Sequence, residues 1–122
     1  MGLDMYAYVS REKPATETPD CLPEDAIRIH CWRKHPDLHG WMEHLYRVKG
    51  GTDEHFNCSL FVLDGDDLKH LEKAIKAQNL PHTEGFFFGT SADHDMNEDL
   101  EFIDKARRAL QMGLTVFYNS WW

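Results

Sequence analysis

The sequence predicts an α+β fold, a small mixed β-sheet of about four to five strands packed with three helices, in one domain spanning residues 1–122. Three observations point there. Short runs alternate apolar and polar residues with period two, as half-buried strands do. Three longer runs repeat apolar residues at i, i+3, i+4 and i+7, which is one face of a helix. Hydrophobic residues fill 42% of the 122 positions, enough for a core without disulfide or metal staples.

Leu3 to Arg11 alternates, with Met5, Ala7 and Val9 on one side and Tyr6 and Tyr8 on the other, so a strand is expected. Glu12 to Glu24 sets Pro14, Pro19 and Pro23 among Thr and Asp, which marks a loop. Ala26 to Arg33 reads as the second strand. Ile27, Ile29 and Cys31 are expected on one face, and Arg28, His30 and Trp32 on the other. Pro36 suits the first helical position. Leu38, Trp41, Met42 and Leu45 then form one helical face, and Gly50-Gly51 ends it.

Asn57 to Leu63 is the third strand. Asp64 caps a second helix, with Asp67 three residues on in a capping box. Its core face is Leu68, Leu71 and Ile75, and Glu72–Lys76 is an i,i+4 pair. Asn79 to Gly89 is irregular around Gly85-Phe86-Phe87-Phe88-Gly89, with room for a short fifth strand. Asp95 caps a third helix, with Glu98 closing a capping box. Its stripe is Met96, Leu100, Ile103, Ala106 and Leu110. Gly113 stops it, and Leu114 to Ser120 is the last strand, before Trp121-Trp122. Periodicity leaves the strand order open.

A net charge of -8 argues against a general nucleic-acid binder, which needs a basic face for phosphates. It favours solubility and a basic protein partner. Cys21, Cys31 and Cys58 are odd in number and form no CxxC pair, so neither a zinc ribbon nor a redox pair is indicated. Free thiols suit a reducing cytoplasm. Met1-Gly2-Leu3-Asp4-Met5-Tyr6 has no basic stretch before an apolar run, so no signal peptide is expected. Tyr6 stands where myristoylation wants Ser or Thr. No apolar run approaches membrane-spanning length.

The richest segment is Cys31-Trp32-Arg33-Lys34-His35-Pro36-Asp37-Leu38-His39-Gly40-Trp41-Met42. A strand ends there and a helix begins, a junction that places side chains and free N–H groups where ligands bind. Several stretches together resemble small uncharacterised proteins of bacteriophages and prophages. They are the Met1–Tyr6 start, Trp32-Arg33-Lys34-His35 with Leu38-His39-Gly40-Trp41-Met42, Leu80-Pro81-His82-Thr83-Glu84 with Gly85 to Gly89, and Tyr118-Asn119-Ser120-Trp121. Some relatives in that group carry a phosphoglycerate kinase label, but 122 residues cannot hold that two-domain enzyme and no phosphate loop is present. The resemblance covers nearly the whole chain. It implies a bacterial cytoplasm during infection or lysogeny, and no mechanism.

His35 and His39 are four apart, a spacing that can face a metal, but Pro-Asp-Leu lies between them and Pro36 puts His35 at the helix boundary. The alternative is a surface cap and a histidine packed beside Trp32. Asp93, Asp95, Glu98, Asp99, Glu101 and Asp104 could hold magnesium, complement a helix dipole, or mimic nucleic-acid phosphates. The phenylalanine run could stack on a flat ring or pack in the core. Ser10, Ser59, Ser91 and Ser120 lie in no nucleophile elbow, and Cys31 and Cys58 are expected to be buried and inert.

The leading functional expectation is non-enzymatic binding of a small anionic or nucleotide-like ligand, or of a host protein. The ligand site would be Trp32, Arg33, Lys34, His35 and His39, with Phe87 as a wall. No metal and no cofactor is expected. The alternative is a small phosphoester-acting enzyme, with His35 or His39 as acid-base and Asp93 or Asp95 holding a metal. Trp121-Trp122 should be covered by the fold or by a second copy of the chain.

Overall fold

The computed structural model describes residues 2–85, 88–92 and 94–122. Among the described residues seven elements follow in order. They are β1 (Asp4–Ser10), β2 (Ile27–Arg33), α1 (Pro36–Val48), β3 (Phe61–Leu63), α2 (Gly65–Lys76), α3 (Met96–Gln111) and β4 (Thr115–Trp121). The sheet order is β2-β1-β4-β3. Every pairing is antiparallel, so the expected mixed sheet is corrected to a wholly antiparallel one of four strands. The reason lies in the connections. β1 and β2 close as a long-looped hairpin, and the path through α1 leads from one sheet edge to the other. No parallel neighbours result. Among the described residues of the 79–89 stretch there is no strand.

Strand alternation sends Met5, Ala7 and Val9 of β1 to one face, opposite Ser120, Tyr118 and Val116 of β4. Phe61 and Leu63 of β3 join them. Helices cover this face only. Leu38 and Met42 of α1, Leu68 and Leu71 of α2, and Phe102, Ile103 and Ala106 of α3 fill one core with these strand residues, all fully buried. The opposite face carries half-exposed Tyr6 and Tyr8, with the Arg28 guanidinium 5.5 Å from the Tyr6 ring centre.

β2 keeps His30 and Trp32 on one face and Cys31 on the other. A bulge opposite Ala7/Tyr8 leaves Ile29 without a partner in the register. On its far side Trp32 pairs with Met5 and His30 with Ala7, so both point into the core layer. The Trp32 ring meets Phe102 edge-on at 4.8 Å. Cys31 therefore lies on the outer face and is exposed, as are Cys21 and Cys58. This corrects the expectation that Cys31 and Cys58 are buried.

Helix ends are well specified. Asp64 and Asp67 form the expected reciprocal capping box on α2. Asp95 caps α3 through the Asn97 N–H, without the expected Glu98 box. All three helices end in paired 5→2 and 6→1 bonds, with Gly50, Gln78 and Gly113 in the left-handed region at φ 96, 54 and 80. At the β3 edge, the Lys49 ammonium bonds the Val62 carbonyl at 2.6 Å and the Asp67 carboxylate at 2.5 Å. The Glu17 carbonyl accepts the Val62 N–H at 2.8 Å. These contacts occupy the outer edge of β3. No helix among the described residues is long and apolar enough to cross a membrane.

Candidate functional site

β2 turns into α1 through Lys34, whose φ of 53 places a non-glycine residue in the left-handed region. Its N–H is held by the Leu3 carbonyl at 2.8 Å. His35 occupies the cap position of α1 but bonds no helical N–H through its ring. A helix start leaves N–H groups in need of acceptors. The Asp37 N–H finds one in the Ser91 hydroxyl, 3.0 Å away, delivered by the segment between α2 and α3.

That hydroxyl begins a chain of bonds. Ser91 Oγ lies 2.7 Å from His35 Nδ1. His35 Nε2 lies 2.9 Å from Asp99 Oδ2. The Trp32 indole N–H donates to Asp99 Oδ1 at 3.0 Å. With a neutral imidazole, the donors fix one assignment. The backbone N–H of Asp37 already donates to Ser91, so the serine O–H points at His35 Nδ1. His35 then carries its proton on Nε2 and donates a hydrogen bond from it to Asp99. His35 and Asp99 are 3% and 4% exposed, whereas Ser91 is half-buried.

His94 stacks on His35 with ring centres 4.1 Å apart and planes 7° from parallel. Its Nε2 lies 3.0 Å from the carbonyls of both Arg33 and Lys34. Carbonyls only accept, so that nitrogen bears a proton. His94 thus pins the β2–α1 turn to the start of α3 and covers one face of the His35 ring.

The structure separates the expected site residues. Trp32, His35 and His39 are buried, while Arg33 and Lys34 are exposed. Arg33 lies 3.9 Å from Asp4 at the surface. The Lys34 stem lies against Gly89, where a Cβ would come within 3.0 Å of it. Phe87 lies outside the described residues, as does Asp93. Phe88 is buried edge-on to His39 at 5.3 Å and to Trp122 at 5.2 Å. His35 and His39 do not converge, because His39 Nδ1 bonds the Tyr118 hydroxyl at 2.7 Å. Burial lowers the His39 pKa to about 4 and raises that of Tyr118 well above its ordinary value. Among the described residues, no group of three or more His, Cys, Asp or Glu could hold a metal ion.

A cavity of about 250 Å³ opens where α1 starts, α2 ends and α3 starts. His35, Asp37, Ser91, His94 and Asp99 supply its polar side. Ile75, Leu80 and Met96 supply its apolar wall, and Gln78 its rim. Four larger hollows, of about 310 to 430 Å³, lie elsewhere among the described residues, and one of them carries a single histidine, His30. The smaller cavity is the site because polar groups converge on it.

Sequence reasoning missed Ser91 and the buried role of Asp99. One signal pointed toward Ser91: α1 begins without Ser, Thr, Asp or Asn in the cap position, so its N–H groups require an acceptor from elsewhere. Asp99 is masked among the acids of the first turn of α3. Comparison of the chain with family models, curated proteins and solved structures finds no match.

Proposed function

We propose that the chain binds a small molecule in the cavity at the start of α1. The observation that supports this is the convergence of His35, Asp37, Ser91, His94 and Asp99 on one hollow with an apolar wall. The chemistry of the lining selects the ligand. Two carboxylates, Asp37 and Asp99, stand there, and the cationic pair Arg33 and Lys34 does not line it. The ligand is therefore small and not anionic, with an apolar body, in place of the anionic one expected from Arg33 and Lys34. The setting we propose is a bacterial cytoplasm shared with a phage or prophage, and the motif resemblance supports it.

Ligand-observed NMR with a panel of small amines, alcohols and esters tests the site. Binders should lose contact with a Leu80→Trp variant, whose indole fills the cavity. A panel without binders, or binders indifferent to the variant, would overturn the reading. A protein partner, from the host or a second copy of the chain, is the second reading. Trp121 favours it, being 67% exposed. Sedimentation of the protein beside Trp121→Ser tests for a second copy.

A further inference from the structure

Ser91, His35 and Asp99 stand in the order that nucleophilic hydrolases use: a hydroxyl on an imidazole, and the imidazole on a buried carboxylate. We propose that Ser91 is a nucleophile activated by His35, and that the site cleaves short, uncharged carboxylic esters. The inference rests on the cavity being a ligand site.

The ring is used the opposite way round from the familiar serine-protease arrangement, with Nδ1 toward serine and Nε2 toward aspartate. The roles depend on which nitrogen holds the proton, and here the carboxylate fixes it. Asp99 accepts the Nε2 proton of His35, so the lone pair of Nδ1 faces the Ser91 O–H. Trp32 holds the second oxygen of Asp99 and keeps the carboxylate in register. Asp99 and Trp32 are positioning residues, since they act through His35. Ser91 is half-buried and lines the hollow, which brings a small substrate against its side chain.

The Asp37 N–H at 3.0 Å belongs to the first turn of a 13-residue helix, where the backbone dipole favours negative charge. It holds Ser91 Oγ in place beside His35 Nδ1, and an ester, whose alcohol leaves more readily than an amine, suits such a site better than an amide. Asp37 and Asp99 disfavour an anionic substrate, and about 250 Å³ beside Ile75, Leu80 and Met96 limits it to a short acyl chain.

Ser91 Oγ forms a bond to the ester carbonyl carbon while its proton passes to His35 Nδ1. The carbon–oxygen bond to the alcohol breaks, and the alcohol leaves with the proton from Nδ1. Water then adds to the acyl carbon, giving its proton to the same nitrogen. The Ser91–acyl bond breaks, and Ser91 takes the proton back. The products are a carboxylic acid and an alcohol.

The test is covalent labelling of the full chain with an alkyl fluorophosphonate, read by intact mass and mapped by peptide mass spectrometry. One adduct on Ser91 is expected. His35→Gln, which keeps Ser91, should slow labelling on the order of 100-fold. Asp99→Asn should slow it less and shift its pH profile, which a merely structural role would not do. No adduct, an adduct on another serine, or labelling indifferent to His35→Gln in a variant with unchanged near-UV circular dichroism would overturn the proposal. Mapping in the unaltered protein decides even if a variant fails to fold. Ligands that bind the hollow in NMR without any Ser91 adduct would sink the nucleophile and leave the binding site standing.

Discussion

His39 Nδ1 and the Tyr118 hydroxyl meet at 2.7 Å inside the core, with His39 1% exposed and Tyr118 fully buried. Neither can ionise there at neutral pH, because burial disfavours both charged forms. The pair ties α1 to β4 and sits between Phe56 and Phe88, whose ring centres lie 4.8 and 5.3 Å from the imidazole. His39 is therefore part of what holds the fold, and the chemistry of the junction passes to His35.

This burial predicts a pH dependence. An unfolded His39 takes a proton near pH 6.5, while the folded one resists until about 4. Between those values the unfolded chain binds more protons, so stability falls as pH falls. The loss totals about 3 kcal/mol across the window and stops below the folded pKa. His39→Asn keeps a polar group near Tyr118 without the titration. Denaturant unfolding between pH 6.5 and 4.5 should show a slope steeper in the parent by about 1.4 kcal/mol per pH unit. Equal slopes would refute the assignment.

Trp32→Phe tests the support under Asp99. The variant keeps an aromatic ring against Phe102 but removes the indole N–H that Asp99 Oδ1 accepts. A buried charged acceptor left short of a donor should cost about 1–3 kcal/mol. In an Asp99→Asn background the same change should cost less, because the full charge is gone. Additive costs by urea denaturation would show that the 3.0 Å bond carries no coupling.

The fold was legible where local chemistry decides it. The Asp64–Asp67 capping box, the Leu68, Leu71 and Ile75 face of α2 and the Glu72–Lys76 pair all stand as read, because caps and i,i+4 neighbours are set within one or two turns. The facing of β2 was not legible, since a single bulge resets the alternation and sends Trp32 inward and Cys31 outward. On α3 the buried face is Asp99, Phe102, Ile103, Ala106 and Ala109, while Met96, Leu100 and Leu110 are half-buried. A carboxylate reads as surface in a helical pattern unless its donors are known. Those donors, Trp32 and His35, come from more than 60 residues away in the chain. Ser91 reaches His35 across 56 positions from an irregular segment, where no period exists to read.

Gln78 holds φ at 54 on the rim of the cavity, where its N–H closes the end of α2 on the Ile75 carbonyl. A side chain in that conformation costs on the order of 1 kcal/mol, which glycine avoids. Gln78→Gly should therefore raise stability by up to about 1 kcal/mol in thermal or urea unfolding. A loss of stability would mean that the side chain makes contacts worth more than the strain it imposes. Retained ligand binding in the same variant would show that the strained residue serves the turn and not the ligand.

Gly40 is the last and most direct handle on the cavity wall. A Cβ built there would stand 1.9 Å from Thr83 Oγ1 and 2.9 Å from Thr83 Cβ. Thr83 cannot simply swing away. Its N–H donates to Asp37 Oδ1 at 3.1 Å and its hydroxyl to the Pro81 carbonyl at 3.0 Å. Helix α1 therefore seats the 80–83 segment through the absence of a side chain, and that segment carries Leu80 to the hollow. Gly40→Ala should gain about 1 kcal/mol of helix propensity and lose more to the overlap, for a net cost of about 1–3 kcal/mol. Thr83→Gly removes every overlapping atom, so in that background the same alanine should be neutral or stabilising. The sign change is the diagnostic, since propensity alone gives alanine the same benefit in both backgrounds. If instead the two changes add, α1 and the 80–83 segment do not touch as described, and Leu80 loses its reason for standing beside Ser91.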